Sequence, residues 1–231
     1  MRPVDAPDLG RDLRLKALLA AFHLASPALP VGGFAYSQGL EMAIADGVVN
    51  DAASARRWIE DLLLHVLARF EAPLWLRAFD ALASGALPRV RALNAELLAA
   101  RETAELRAES LQMGASLLRL FDAFGIDAPQ LAPVVYPVAF AAACSALGID
   151  REAGLTAYLW SWLENQVLAV VKTLPLGQQA GQTTLIELHE SIARAVRIAI
   201  GLRDDELGSA AVGFALCSAR HESLYSRLYR S

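Results

Sequence analysis

The sequence predicts an all-α protein built as a single-domain helical bundle, and three observations carry that prediction. Apolar residues recur at helical spacing along most of the 231 residues, as in Leu15, Leu18, Leu19 and Phe22, in Ile59, Leu62, Leu63, Val66 and Leu67, and in Leu155, Leu159, Trp162, Leu163, Val167 and Val170. Sustained alternation of period two, the mark of half-buried strands, is absent. No repeat of fixed period and no Gly/Ser- or Pro-rich linker divides the chain, so residues 1–231 are expected to form one domain with 218–231 as its C-terminal tail.

About ten helices follow from the spacing. The first, 9–25, carries the stripe from Leu15 to Phe22 and stops at Ser26-Pro27-Ala28-Leu29-Pro30-Val31-Gly32-Gly33-Phe34. Two prolines there disfavour helix, and the paired glycines allow positive backbone dihedrals just before a new helix, 34–47. The stripe from Ile59 to Leu67 lies on a helix 52–70. Pro73 and Pro88 sit in the first turns of helices 72–84 and 87–101, where a missing N–H is tolerated. A long helix 103–124 comes next. Pro137 opens 137–147, Gly148 stops it, and Asp150 caps 151–173. Helices 179–203 and 205–218 complete the set and leave three irregular segments: Ala25 to Glu41, Thr173 to Thr184, and Ser218 to Ser231.

Composition bounds the function. Apolar residues make up 55% of the chain against an average of roughly 45–50%, and Asp, Glu, Lys and Arg supply only 20%. The surplus is mostly Ala and Leu, which suits close helix packing between subunits, so a lasting protein partner is expected. A net charge of −4 gives no basic face for nucleic acid. Met1 to Leu15 carries Asp5, Asp8 and Asp12 and lacks the apolar run of a secretory signal. The weakly polar run from Leu131 to Cys144 is broken by prolines and falls short of a membrane span. A cytoplasmic protein is expected, with no membrane contact. Cys144 and Cys217 lie far apart in apolar surroundings and read as small core residues.

The motifs that resemble chemistry are incomplete. The Gly32-Gly33 turn has no Gly-Lys-Ser/Thr and no preceding strand, so it is not a phosphate loop. Ala35-Tyr36-Ser37-Gln38-Gly39 has the look of a hydrolase nucleophile elbow, but Ala35 replaces the first glycine and no strand leads into it. His189-Glu190 and His221-Glu222 begin like zinc-protease helices, yet Ala193 and Tyr225 stand where a second histidine is needed. His23, beside Phe22 and Leu24, reads as a core histidine. The expected assignments are no catalytic residue, no metal ligand and no cofactor.

Two segments invite a partner. Lys172 ends the apolar run Val167 to Val171 and precedes the polar Gln178, Gln179, Gln182, Thr183 and Thr184. It serves either as a helix-end charge opposing the macrodipole or as a charge presented to a partner. The tail carries Leu224, Tyr225, Leu228 and Tyr229, which at helical spacing form one apolar stripe, with Arg220, Arg227 and Arg230 around it. It either folds back on its own domain or anchors another molecule, and Tyr and Arg are residues that interfaces favour.

Leu24-Ala-Ser-Pro-Ala-Leu-Pro-Val-Gly-Gly-Phe-Ala-Tyr-Ser-Gln-Gly-Leu-Glu41 resembles the N-terminal signature of the UreF family of urease accessory proteins. Lys172-Thr-Leu-Pro-Leu-Gly-Gln-Gln-Ala-Gly-Gln182 resembles that family's central polar segment, and Arg220-His-Glu-Ser-Leu-Tyr-Ser-Arg-Leu-Tyr-Arg-Ser231 its closing one. Ala35, Leu224 and Tyr229 depart from the residues usual there. The resemblance implies an all-helical homodimer that bridges UreD (UreH in some systems) and the GTPase UreG and, through UreD, reaches apo-urease to deliver nickel. Nickel would be in transit and GTP would be bound by UreG. It implies that Arg220, His221, Glu222, Leu224, Tyr225, Arg227, Leu228, Tyr229 and Arg230 meet UreD, and that Pro30, Gly32, Gly33, Phe34, Tyr36 and Lys172 lie toward UreG. The alternatives are a regulator of the UreG GTPase, with Arg56, Arg57 or Lys172 entering its site, and a serine hydrolase using Ser37.

Overall fold

The computed structural model describes residues 9–128, 131, 133–209 and 211–231, and every regular element among them is helical. Asp5 and Asp8 lie outside the described residues. Helix α1 spans Leu9–Ala25 and is followed by a single 3-10 turn, Gly33–Ala35, and the short α2, Leu40–Ala45. The expected helix 34–47 is therefore divided. Gln38 and Gly39 have φ of 54° and 75°, left-handed values that no continuous right-handed helix can contain. Gly39 has no alternative there, since a Cβ would lie 3.0 Å from the main-chain nitrogen of Ser218.

Asp51 opens α3, Ala52–Leu62, through a reciprocal capping box with Ser54. The expected break near residue 71 is absent, because α3 runs through a π-helical stretch, Leu63–Glu71, straight into α4, Ala72–Ala83. Pro73 cannot donate to the carbonyl four residues before it, that of Arg69. That carbonyl accepts the Gly208 N–H instead, at 3.3 Å, so the helix passes the proline without an orphaned acceptor.

Helix α5, Leu87–Ala99, and α6, Ala104–Leu118, follow, and the Asn94 side chain of α5 accepts the Val135 N–H and donates to the Pro133 carbonyl. Those two bonds aim the chain into α8, Tyr136–Ala146, whose residues Pro137 to Cys144 are all buried. A helix apolar all round belongs at the centre, and α8 packs against α4, α6 and α9. Gly114 of α6 makes the approach possible, because a Cβ would stand 2.1 Å from the Val134 carbonyl oxygen. The expected helix 103–124 ends at Leu118 and resumes as a short α7, Phe121–Phe124.

Asp150 caps α9, Arg151–Thr173, as expected, accepting the N–H groups of Glu152 and Ala153. Rings of Trp75, Tyr136, Phe140 and Tyr158 pack with centres 5.3–6.3 Å apart and fasten α4, α8 and α9. The expected helix 179–203 is two, α10, Gln178–Glu187, and α11, His189–Gly201, divided at the fully buried Leu188. A 3-10 turn, Asp204–Glu206, and α12, Val212–His221, replace the expected helix 205–218. Cys144 and Cys217 are buried free thiols, and burial pushes both thiols up. His23 is exposed and meets the Phe124 ring edge-on at 5.3 Å, so the core histidine expected there is corrected. No helix among the described residues is long and apolar enough to cross a membrane.

Candidate partner-binding surface

The tail is organised by carboxylates that lie far from it in sequence. Glu41 of α2 is buried, and its two oxygens accept the N–H groups of Leu228 at 2.7 Å and Tyr229 at 3.1 Å. The second oxygen also faces His221 Nε2 at 3.0 Å. The other ring nitrogen of His221, Nδ1, faces Glu105 of α6 at 2.7 Å, and Glu105 also pairs with Arg227 at 2.5 Å. A fully buried imidazole thus stands with a carboxyl oxygen within hydrogen-bond distance of each nitrogen. Arg220 makes a bidentate pair with Asp46 at 2.6 and 3.0 Å, and Glu222 is exposed.

This arrangement corrects the single apolar stripe expected of Leu224, Tyr225, Leu228 and Tyr229. Helix α12 ends at His221, and the bonds to Glu41 and Glu105 hold the following residues in turns and bends, so the four side chains diverge. Tyr229 turns inward and is buried, with its hydroxyl 3.5 Å from the Ala169 carbonyl, and Leu224 is half-buried. Tyr225 is fully exposed and Leu228 largely so. The tail therefore folds onto its own domain, and two of its large side chains, Tyr225 and Leu228, remain exposed.

The tail reaches the N-terminal loop. The Arg230 N–H donates to the Ala35 carbonyl at 2.8 Å, and the Arg230 guanidinium lies near the Tyr36 hydroxyl. That hydroxyl donates to Gln112 of α6 at 2.5 Å, and the Tyr36 carbonyl accepts from Asn165 of α9. Burial, with Glu109 nearby, pushes the Tyr36 phenol up. Pro30 is exposed, Gly32 has φ 81°, Gly33 lies next to Met113 and Phe34 is exposed. Lys172, at the end of α9, is also exposed and places its Nζ 5.9 Å from the centre of the Phe34 ring. The residues expected to meet two different partners thus adjoin each other. The polar segment after Lys172 is the solvated first turns of α10, with Thr184 buried.

Behind the loop lies a cavity of about 240 Å³, lined in part by Arg101, Glu109, Ser110, Met113, Tyr158 and Trp162. Arg101 is ion-paired with Glu71, and the Tyr158 hydroxyl donates to the same carboxylate at 2.5 Å. Burial pushes the Glu109 carboxyl up to about 6, against the bonds it accepts from Gln38 and Ser231. Glu41, Glu105 and Glu109 escaped the sequence reading. The one signal was two glutamates a helical turn apart, Glu105 and Glu109, beside apolar Leu106 and Met113.

Ser37 is fully buried and its hydroxyl donates to the Ser231 main-chain oxygen at 2.7 Å. Both nitrogens of His221 are engaged elsewhere and His189 lies against Trp160, ring centres 5.6 Å apart, so the hydrolase reading of Ser37 is corrected. Arg56 is held by Glu60 and Glu187. Among the described residues no group of three or more His, Cys, Asp and Glu side chains is gathered to hold a metal ion.

Comparison with known proteins gives this surface its context. The sequence profile of the UreF family matches residues 49–189. The chain is 49% identical over 228 residues to the urease accessory protein UreF of Cupriavidus necator, covering 94% of this chain and 99% of that protein. It is 48% identical over 231 residues to the UreF of Azoarcus sp., covering 94% and 97%. The match to the UreF of Ralstonia pickettii is 50% over 224 residues, covering 93% and 97%. With the family profile on more than half of its length and near-complete alignment to these relatives, the chain belongs to the UreF family of urease accessory proteins.

Proposed function

We propose that the chain is a non-catalytic adaptor, a nickel-insertion chaperone acting in the cytoplasm. It holds UreD (UreH) and the GTPase UreG together so that GTP hydrolysis is coupled to nickel delivery into apo-urease. Nickel is cargo in this reading, and GTP belongs to UreG. The observation that carries it is the junction of the tail with the loop, where the Arg230 N–H bonds Ala35 and fixes two sets of exposed side chains in one body. Tyr225 and Leu228, rimmed by Arg220, Glu222 and Arg227, form the UreD side. Pro30, Phe34 and Lys172 form the UreG side, with Gly32, Gly33 and Tyr36 shaping the loop beneath them.

The homodimer belongs to the same proposal. Leu15, Leu18, Leu19 and Phe22 share one face of α1 and are 50–64% exposed. A stripe repeated every three to four residues along a helix is self-complementary about a two-fold axis, and a second copy is the occupant we assign to it.

Affinity capture of the tagged chain from cells containing UreD, UreG and urease tests the proposal. UreD, UreG and urease should be recovered together. A Phe34→Ala, Lys172→Ala double variant should lose UreG and keep UreD. Recovery of UreG undiminished by that variant contradicts the assignment of the loop, and recovery of neither partner contradicts the adaptor.

A further inference from the structure

His221, the last residue of α12, is fully buried between carboxyl groups of two other helices. Glu41 of α2 accepts the N–H groups of Leu228 and Tyr229, one on each oxygen. Bonds of that kind favour the ionised carboxylate, which has only acceptors to offer. The 3.0 Å contact with His221 Nε2 therefore requires a hydrogen on that nitrogen. A neutral imidazole carries one N–H, and with it on Nε2 the lone pair of Nδ1 would face Glu105 Oε2 at 2.7 Å. That distance is a hydrogen bond only if a second hydrogen lies between the two atoms. The charges agree. Glu41, Glu105 and Arg227 leave the cluster one negative charge in excess, while the neighbouring Arg220 and Asp46 offset each other. Glu109, one turn further along α6, is turned to Gln38 and Ser231, and Glu222 is exposed. A proton on the ring removes the excess from a buried place, where an unpaired charge is costly.

We propose that His221 is an imidazolium held between Glu41 and Glu105, and that its second proton fastens the tail to the fold. Glu41 then fixes the backbone at Leu228 and Tyr229, and Glu105 fixes the Arg227 side chain, both around one charged ring. Loss of the proton sets the Nδ1 lone pair against Glu105, and the carboxylate draws away with Arg227. The fastened tail thus binds more proton than the loosened one. Fastening is present on the acid side of the imidazole's titration and is lost as pH rises through it. The inference rests on the proposed function for its consequence, since this tail is the segment assigned to UreD, and makes the presentation of that surface responsive to pH. It is tested on the chain alone.

Glu105→Gln supplies the test, because a glutamine amide accepts from Arg227 and donates to Nδ1, making both contacts with a neutral imidazole. Amide hydrogen exchange at Leu228 and Tyr229 is measured on the full chain and on this variant from about pH 5.5 to 8.5, a range that brackets an ordinary imidazole. Each rate is divided by that of an unstructured amide at the same pH. In the native chain protection at both amides should fall by about tenfold or more across the range, as expected for losing a hydrogen bond to a charged group, while amides of α8 keep theirs. In Glu105→Gln it should stay level. Glu109, whose carboxyl burial pushes up to about 6, is intact in the variant, so a level course also sets it aside as the cause. Unchanged protection of the native chain across the range overturns the inference, as does a variant that follows the native course. Should the variant fail to fold, the nitrogen-15 spectrum of the native chain decides. His221 should carry hydrogens on both ring nitrogens at the acid end and on one at the alkaline end, in step with the loss of amide protection, and a single N–H throughout overturns the inference. Absence of UreD capture with this exchange pattern intact would overturn the proposed function and leave the proton-held tail standing.

Discussion

Glu109 sits fully buried between Gln38 and Ser231, and burial lifts its carboxyl from the ordinary 4.5 to about 6. The folded chain therefore holds this proton more tightly than the unfolded one. The stabilisation linked to that proton is fully present below about pH 4.5 and is lost as pH rises through about 6, a difference of roughly 2 kcal/mol. Glutamine keeps the shape without the charge, its oxygen still accepting from Gln38 while its NH2 donates to the Ser231 hydroxyl in place of accepting from it. Denaturant titrations of the native protein and Glu109→Gln should give the variant a relative gain of roughly 2 kcal/mol on going from acid to neutral pH. An unchanged difference would mean that the carboxyl ionises freely in the fold. Gly114 makes a second prediction at this scale. Gly114→Ala drives a methyl group against the Val134 carbonyl and should destabilise by about 3 kcal/mol, read as a lowered denaturant midpoint. An unaltered midpoint would show that α6 and α8 part without strain. Neither role could be read beforehand, because Glu109 acquires its own from Ser231, 122 positions away, and Gly114 from a backbone beyond the end of its own helix. Lys172 and Tyr36 could be found, since each stands inside a local segment with its own pattern. The carboxylates that hold the tail could not, because no local pattern links Glu41 to Leu228.

At the level of the helices, the long amphipathic segments were legible, and those with strong local caps began where expected. Asp150 opens α9, and Pro88 and Pro137 lie in the first turns of their helices. Two of the misread boundaries share one cause, tertiary bonds that override local signals. Pro73 is a helix-start residue by itself, but the Gly208 N–H reaching the Arg69 carbonyl lets one helix pass through it. Gln38 is compatible with helix until its side chain is drawn to Glu109 and Trp162. The face of α1 yields the prediction proper to this scale. Leu19→Asp with Phe22→Asp should convert the proposed dimer to a monomer in sedimentation while leaving helix content unchanged by circular dichroism, because both side chains project from the fold. A dimer that survives both charges would assign the interface elsewhere.

For the whole molecule, the 55% apolar composition divides between a core centred on α8 and a residue of exposed side chains on α1, the loop and the tail. The single helical domain was legible because periodicity reports which faces are apolar. The joining of tail and loop was not, because periodicity says nothing of which faces meet. Membership of the UreF family follows from the sequence profile and the relatives, whereas the adaptor reading rests on side chains that the fold leaves unsatisfied at its surface. Tyr225 and Leu228 contribute little to the fold as it stands, so their removal separates partner binding from stability. The most direct measurement is the affinity of UreD for the native chain and for Tyr225→Ala with Leu228→Ala. A loss of roughly 30-fold or more at unchanged melting temperature, in line with about 1 kcal/mol or more for each anchoring side chain, is the predicted result. Equal affinity for the two proteins would contradict the account.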